Sequence, residues 1–142
     1  MKNVLLTLMI AFALVTSHNL IAQGAGSIKV QKTNYIVLTK KVPQIKPIYF
    51  ASKDMAKQDR KGFGEFHIVF CGKNIGDLTD KELMRPYKEM VVKGGLKLFA
   101  CGFSLDKFEI DKSELPKWIE VVENGITYAL KAKKDDYISI EL

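Results

Sequence analysis

Three side chains in this sequence are of a type and in a setting that suit chemistry: Cys101, Cys71 and His67. Cys101 closes the apolar run Leu96-Lys97-Leu98-Phe99-Ala100, which is bounded upstream by Gly94-Gly95 and followed by Gly102. A short run of this kind between glycines predicts a buried strand over Leu96 to Ala100, with Cys101 at its carboxyl end. Open α/β sheets place their reactive groups at that end. A short helix predicted from Phe103 to Phe108 would bring unpaired backbone N–H groups close to the sulfur, and those groups favour the thiolate, the reactive form. The competing reading is a small hydrophobe packed in the core, since free cysteines are among the most buried residues.

Cys71 has the same local grammar. It ends the run Glu65 to Cys71 and precedes Gly72, so both thiols fall on one edge of the sheet. If the two strands are neighbours, the Cα atoms come within bridging distance, and a reversible disulfide or dithiol pair is open beside the alternative of two unrelated buried thiols. Two cysteines are too few to build a disulfide scaffold, so the core must hold the fold.

His67 lies mid-strand on the same alternating face as Cys71, but roughly 13 Å away along the strand, too far to share a metal. It reads as structural. The two cysteines lie far apart in sequence with no further ligand pair, so no metal centre is expected. Neither GxGxxG nor GxxxxGK[ST] occurs, nor a nucleophile elbow around serine, and no cofactor is implied. A surplus of 22 basic over 16 acidic residues is spread along the chain without aromatic interleaving, which argues for a solvated surface and against nucleic acid as partner.

The elements that must carry these residues follow from the pattern. Met1-Lys2-Asn3, an apolar stretch from Val4 to Val15 and a polar exit near Ala22 have the order of a secretory signal peptide over 1–22 and are too short for a comfortable membrane span. Export to the periplasm or outside the cell follows, with no membrane attachment after removal. Residues 23–34 lack periodicity and read as a flexible tether, leaving 35–142 as one domain.

Within that domain Tyr35-Ile36-Val37-Leu38-Thr39 predicts the first strand, and Ile48, Ala51 and Met55 a helical stripe that begins near Pro47 and ends about Gln58. Asn74 to Asp77 reads as a loop. Thr79 or Asp80 caps a second helix carrying Leu83, Tyr87, Met90 and Val91, with Pro86 as a source of a kink or a late start. Trp118 to Val122 fits a strand by its β-branched content, or a helix begun at Pro116. Asn124 caps a helix ending in Lys131, Lys133 and Lys134, and Tyr137 to Glu141 is the last strand. Strands separated by helices predict a mostly parallel sheet covered on both faces.

The stretch Gly95-Leu96-Lys97-Leu98-Phe99-Ala100-Cys101-Gly102-Phe103-Ser104-Leu105, with Ile110-Asp111 and Leu115 after it, resembles the DsrE/DsrF-like family. The strand Phe66 to Phe70 before Gly72, the segment Val121 to Gly125 and the Tyr137-Ile138 strand share the likeness, which runs roughly from Tyr35 to Leu142. The resemblance implies a three-layer α/β/α sandwich with a five-stranded, mainly parallel sheet, assembled as a trimer or hexamer. It also implies that Cys101 accepts sulfane sulfur as a persulfide and passes it to a partner protein, with Gly102, Phe103 and Ser104 as the anionic cradle. Where the family frequently has histidine, this chain has Cys71, a candidate resolving thiol.

Three functions therefore stand as expectations. The first is an exported sulfur carrier, sulfurtransferase-like, exchanging with a donor or acceptor protein. The second is a non-catalytic oligomeric binding module in which Cys101 packs. Thiol–disulfide exchange comes last, because the CxxC arrangement is missing.

Overall fold

The computed structural model describes residues 30–142. The leader predicted over 1–22 and the tether up to residue 29 lie outside the described residues. Five strands alternate with four α-helices: β1 (Thr33–Thr39), α1 (Ile45–Asp59), β2 (Phe63–Phe70), α2 (Lys81–Val92), β3 (Leu96–Cys101), α3 (Gly102–Lys107), β4 (Ile119–Val122), α4 (Gly125–Lys134) and β5 (Ile138–Glu141). The sheet order is β4-β3-β2-β1-β5, and every neighbouring pair is parallel. The chain is thus an α/β sandwich with a five-stranded parallel sheet, and the tether's last two residues, Thr33 and Asn34, belong to β1. No helix among the described residues is long and apolar enough to cross a membrane.

Strand alternation sorts the core into two layers. Tyr35, Val37, Phe66, Ile68, Phe70, Leu98 and Ala100 share a face with the buried residues of α1 and α2, whereas Ile36, Val69 and Phe99 pack with Ala129 and Ala132 of α4. Coverage is uneven: a helix is about 10 Å across and strands are about 4.8 Å apart, so neither the single helix α4 on one face nor α1 and α2 on the other reaches every strand. All four residues of β5 are exposed.

Several elements depart from expectation in phase rather than in type. In α1 the buried stripe is Ile45, Ile48 and Ser52, with Met55 half-buried, while Ala51 faces water. The helix begins two residues before Pro47, its stripe runs through positions 45, 48, 52 and 55, and Ser52 tolerates burial by donating its hydroxyl proton to the Tyr49 carbonyl at 2.7 Å. In α2 the deepest residues are Met84 and Val91, with Leu83 and Tyr87 flanking them. Pro86 lies inside α2 at an exposed position, where water can serve the carbonyl that loses its amide partner.

Asp80 is the cap of α2, its carboxylate accepting from the Glu82 and Leu83 amides at 3.0 Å each. The stretch expected as a loop, Asn74 to Asp77, lies within a 3₁₀ segment, Lys73–Thr79, which buries Ile75 and Leu78. After Pro116, Ile119–Val122 is a strand, and the helical alternative is excluded.

Candidate functional site

The register Phe70↔Ala100 between β2 and β3 sets the next residue of each strand, Cys71 and Cys101, side by side at the carboxyl edge. Cys71 continues the line of its strand, its amide donating a hydrogen bond to the Thr39 carbonyl at 3.0 Å. Gly72 then turns the chain away with φ of 93°, a conformation open to glycine at little cost. Its amide donates to Ser104 Oγ at 3.0 Å, so the start of α3 is tied to the end of β2.

A third element closes over the pair. The first residue of α4, Gly125, donates its amide to Cys101 Sγ at 3.2 Å. A Cβ at this position would stand 2.5 Å from Cys71 Sγ and 3.2 Å from Cys101 Cβ, so only glycine lets the helix start this close to both thiols. Asn124 anchors that turn by accepting from the Ile126 and Thr127 amides at 2.9 and 3.2 Å.

The three residues expected to cradle an anion play different parts. The Phe103 amide is engaged with the Glu123 carbonyl at 2.8 Å, and Gly102 provides close approach, since a Cβ there would lie 3.0 Å from the Val122 carbonyl. Ser104 alone of the three favours ionisation of the sulfur, while its hydroxyl oxygen accepts from the Gly72 amide. The amide contributed by Gly125 was not visible in the sequence as part of the site. Its only signal was the Asn124-Gly125 cap, which says where α4 begins and nothing about what it begins against.

These contacts make the two thiols unequal. Burial by itself would push the Cys101 thiol up, but hydrogen bonds from the Ser104 hydroxyl, the Gly125 and Ser104 amides and the Cys71 thiol outweigh it and hold Cys101 below its ordinary value. Burial, and then the charge of Cys101 beside it, push Cys71 up to about 12. Of the pair, Cys101 is therefore the thiol that gives up its proton more readily, and Cys71 the one that keeps it.

Both sulfurs line a cleft of about 280 Å³ whose walls include Lys40, Phe103, Lys107 and Ile126. Cys101 is only 3% exposed, at the floor, whereas Phe103 and Ile126 stand 59% and 60% exposed at the mouth. Lys40 pairs with Glu141 at 2.8 Å. A larger cleft, about 740 Å³ between Thr79–Glu82 and Ser113–Lys117, has neither thiol nor histidine in its lining.

His67 sits deep on the α4 face of the sheet, away from the cysteine edge. Its Nε2 lies 2.9 Å from Glu65 Oε2 and its Nδ1 3.0 Å from the Tyr128 hydroxyl. The pairing fits a neutral ring that donates from Nε2 and accepts at Nδ1. Desolvation lowers its pKa in spite of Glu65. Among the described residues no group of three His, Cys, Asp or Glu side chains could hold a metal ion.

No family model and no curated protein matches the chain. Among solved structures it is similar to a protein of unknown function, MTH1491 from Methanobacterium thermoautotrophicum, with a TM-score of 0.59 at 12% identity over 79% of this chain and 100% of that one. At that identity the likeness concerns the fold.

Proposed function

We propose that the protein is an exported carrier of sulfane sulfur, held as a persulfide on Cys101. The observation that carries this reading is the unequal pair: a sulfur that receives the first amide of α4 and is held below its ordinary value, beside a second sulfur pushed well above its own. The Cys101 thiolate attacks the terminal sulfur of a donor persulfide R–S–SH. The donor S–S bond breaks, a new one forms on Cys101, and the donor leaves as the thiolate RS⁻, with no net oxidation. An acceptor thiolate takes the outer sulfur by the same step in reverse.

Cys71 supplies a second exit. Attack of its sulfur on the inner sulfur of the Cys101 persulfide forms the Cys71–Cys101 disulfide and releases hydrogen sulfide. That is a balanced internal oxidation of the thiol at the expense of the sulfane sulfur. The high proton affinity of Cys71 slows this exit, so the persulfide lives long enough to be handed on. The open apolar mouth at Phe103 and Ile126 suits docking of a donor or acceptor protein, or of another copy of this chain in a trimer or hexamer.

The second reading is a binding module of the same fold, in which Cys101 only packs; its support is the 3% exposure of that residue. Intact-mass measurement after incubation with polysulfide separates the two. The carrier gains one sulfur atom in the wild type and in Cys71→Ser but not in Cys101→Ser. A wild-type protein that gains none is a binding module.

A further inference from the structure

β5 is an outer strand of the sheet among the described residues, and with the residue that follows, it carries three apolar side chains on one face: Ile138, Ile140 and Leu142, at 56%, 57% and 45% exposure. By register with Tyr35 and Val37, Ile138 and Ile140 stand on the face that α1 covers elsewhere. The other outer strand, β4, is differently made: Ile119 is buried, and its exposed residues are the charged Glu120 and a single apolar one, Val121. Long or apolar open edges invite pairing with another chain unless charge or proline guards them.

The backbone decides what fits there. The Leu142 amide donates to the Leu38 carbonyl at 3.0 Å, so by strand alternation Ile140 and Ile138 also turn their amides and carbonyls toward β1. Ser139 and Glu141 then turn theirs outward, unpaired within the sheet among the described residues. We infer that β5 pairs antiparallel with β5 of a second copy about a two-fold axis through Ile140.

In that register Ser139 exchanges both its hydrogen bonds with Glu141 of the second copy, and Glu141 does the same with the second copy's Ser139. Ile140 meets its own counterpart, and Ile138 meets Leu142, so every cross-strand pair on the α1 face is apolar. On the opposite face Glu141 is opposed by Ser139 and already neutralised by Lys40 at 2.8 Å, so the two copies bring no unbalanced carboxylates together. A neighbouring register by one residue would set apolar against polar side chains and lose this match. The contact is isologous and closed, and the sheet runs continuously through both copies.

Sedimentation equilibrium of the purified protein tests this, with three variants. Ser139→Pro removes one outward amide and leaves the bonds to β1 intact. Ile140→Lys puts a charge on the axis at a position already exposed in the monomer. Either substitution halves the assembly mass, whether from dimer to monomer or from a larger even-numbered assembly to half its size. Leu130→Lys, at an exposed position of α4 away from the cysteine cleft, leaves the two-fold contact in place. In protein with both native thiols replaced by serine, Ile140→Cys cross-links to itself on oxidation and Ser139→Cys does not. A wild-type monomer at all concentrations, a mass unmoved by both β5 substitutions, or equal cross-linking at 139 and 140 overturns the inference.

Discussion

The Gly125 amide points at Cys101 Sγ from 3.2 Å, although the two residues belong to different elements and are separated by β4. That contact joins a helix start to a strand end and, after the Ser104 hydroxyl, helps to hold the Cys101 thiol below its ordinary value. The missing Cβ of Gly125 is what permits it.

Gly125→Ala should therefore injure the site and the fold together. The new methyl group would sit 2.5 Å from Cys71 Sγ and 2.8 Å from Val69 Cγ1, and α4 must retreat. Overpacking of this kind costs about 1–3 kcal/mol. The expected result is a lower melting temperature together with a higher pH for half-maximal alkylation of Cys101. Unchanged alkylation would mean that the amide has no hold on the sulfur.

Comparing two helix caps isolates the electrostatic part. Asn124→Ala and Asp80→Ala each remove a side chain that accepts two amides and should each cost about 1 kcal/mol. Only the former loosens the turn that aims Gly125 at Cys101, so only the former should also raise the alkylation pH of Cys101. Equal alkylation profiles in the two variants would contradict this division.

The two thiols should label in order. With Cys101 below its ordinary value and Cys71 up at about 12, a small alkylating reagent near neutral pH should modify Cys101 first, and Cys71 only at much higher pH. Peptide mapping after brief labelling of reduced protein reads this directly. Preferential labelling of Cys71 would reverse the assignment of carrier and resolving thiol.

The buried imidazole gives the fold an acid sensitivity separate from the cysteines. Desolvation holds His67 below its ordinary 6.5, so the unfolded chain takes up the proton more readily than the native one. Its contribution to stability is present above pH 6.5 and is lost as the pH falls through the folded value. Glu65, also held low, mainly by Lys97, adds a second loss below its ordinary 4.5. Denaturant melts of the wild type should weaken from pH 7 to pH 5, and His67→Gln should flatten that slope. Tyr128→Phe leaves Nδ1 without its donor and should cost about 1–3 kcal/mol near neutral pH.

What the sequence determined by itself was local. Glycine punctuation and short apolar runs placed β2 and β3 within about two residues, because a buried strand needs apolar side chains on both faces and a stop at each end. Asn124 announced α4 because its side chain can satisfy the first amides of a helix within the same few residues. The phase of α1 was misread, since Ser52 looks polar in sequence and becomes buried only by finding the Tyr49 carbonyl.

The order of the strands, and with it the side-by-side position of Cys71 and Cys101, was conditional until the register of β2 on β3 was known. The closure by Gly125, and the diversion of the Phe103 amide to Glu123, were decided only by tertiary structure. The physical reason is one of range. Caps and strand periods are written between residues a few places apart, whereas the field at a sulfur depends on which remote helix ends beside it. That is fixed by how the whole sheet and its helices pack.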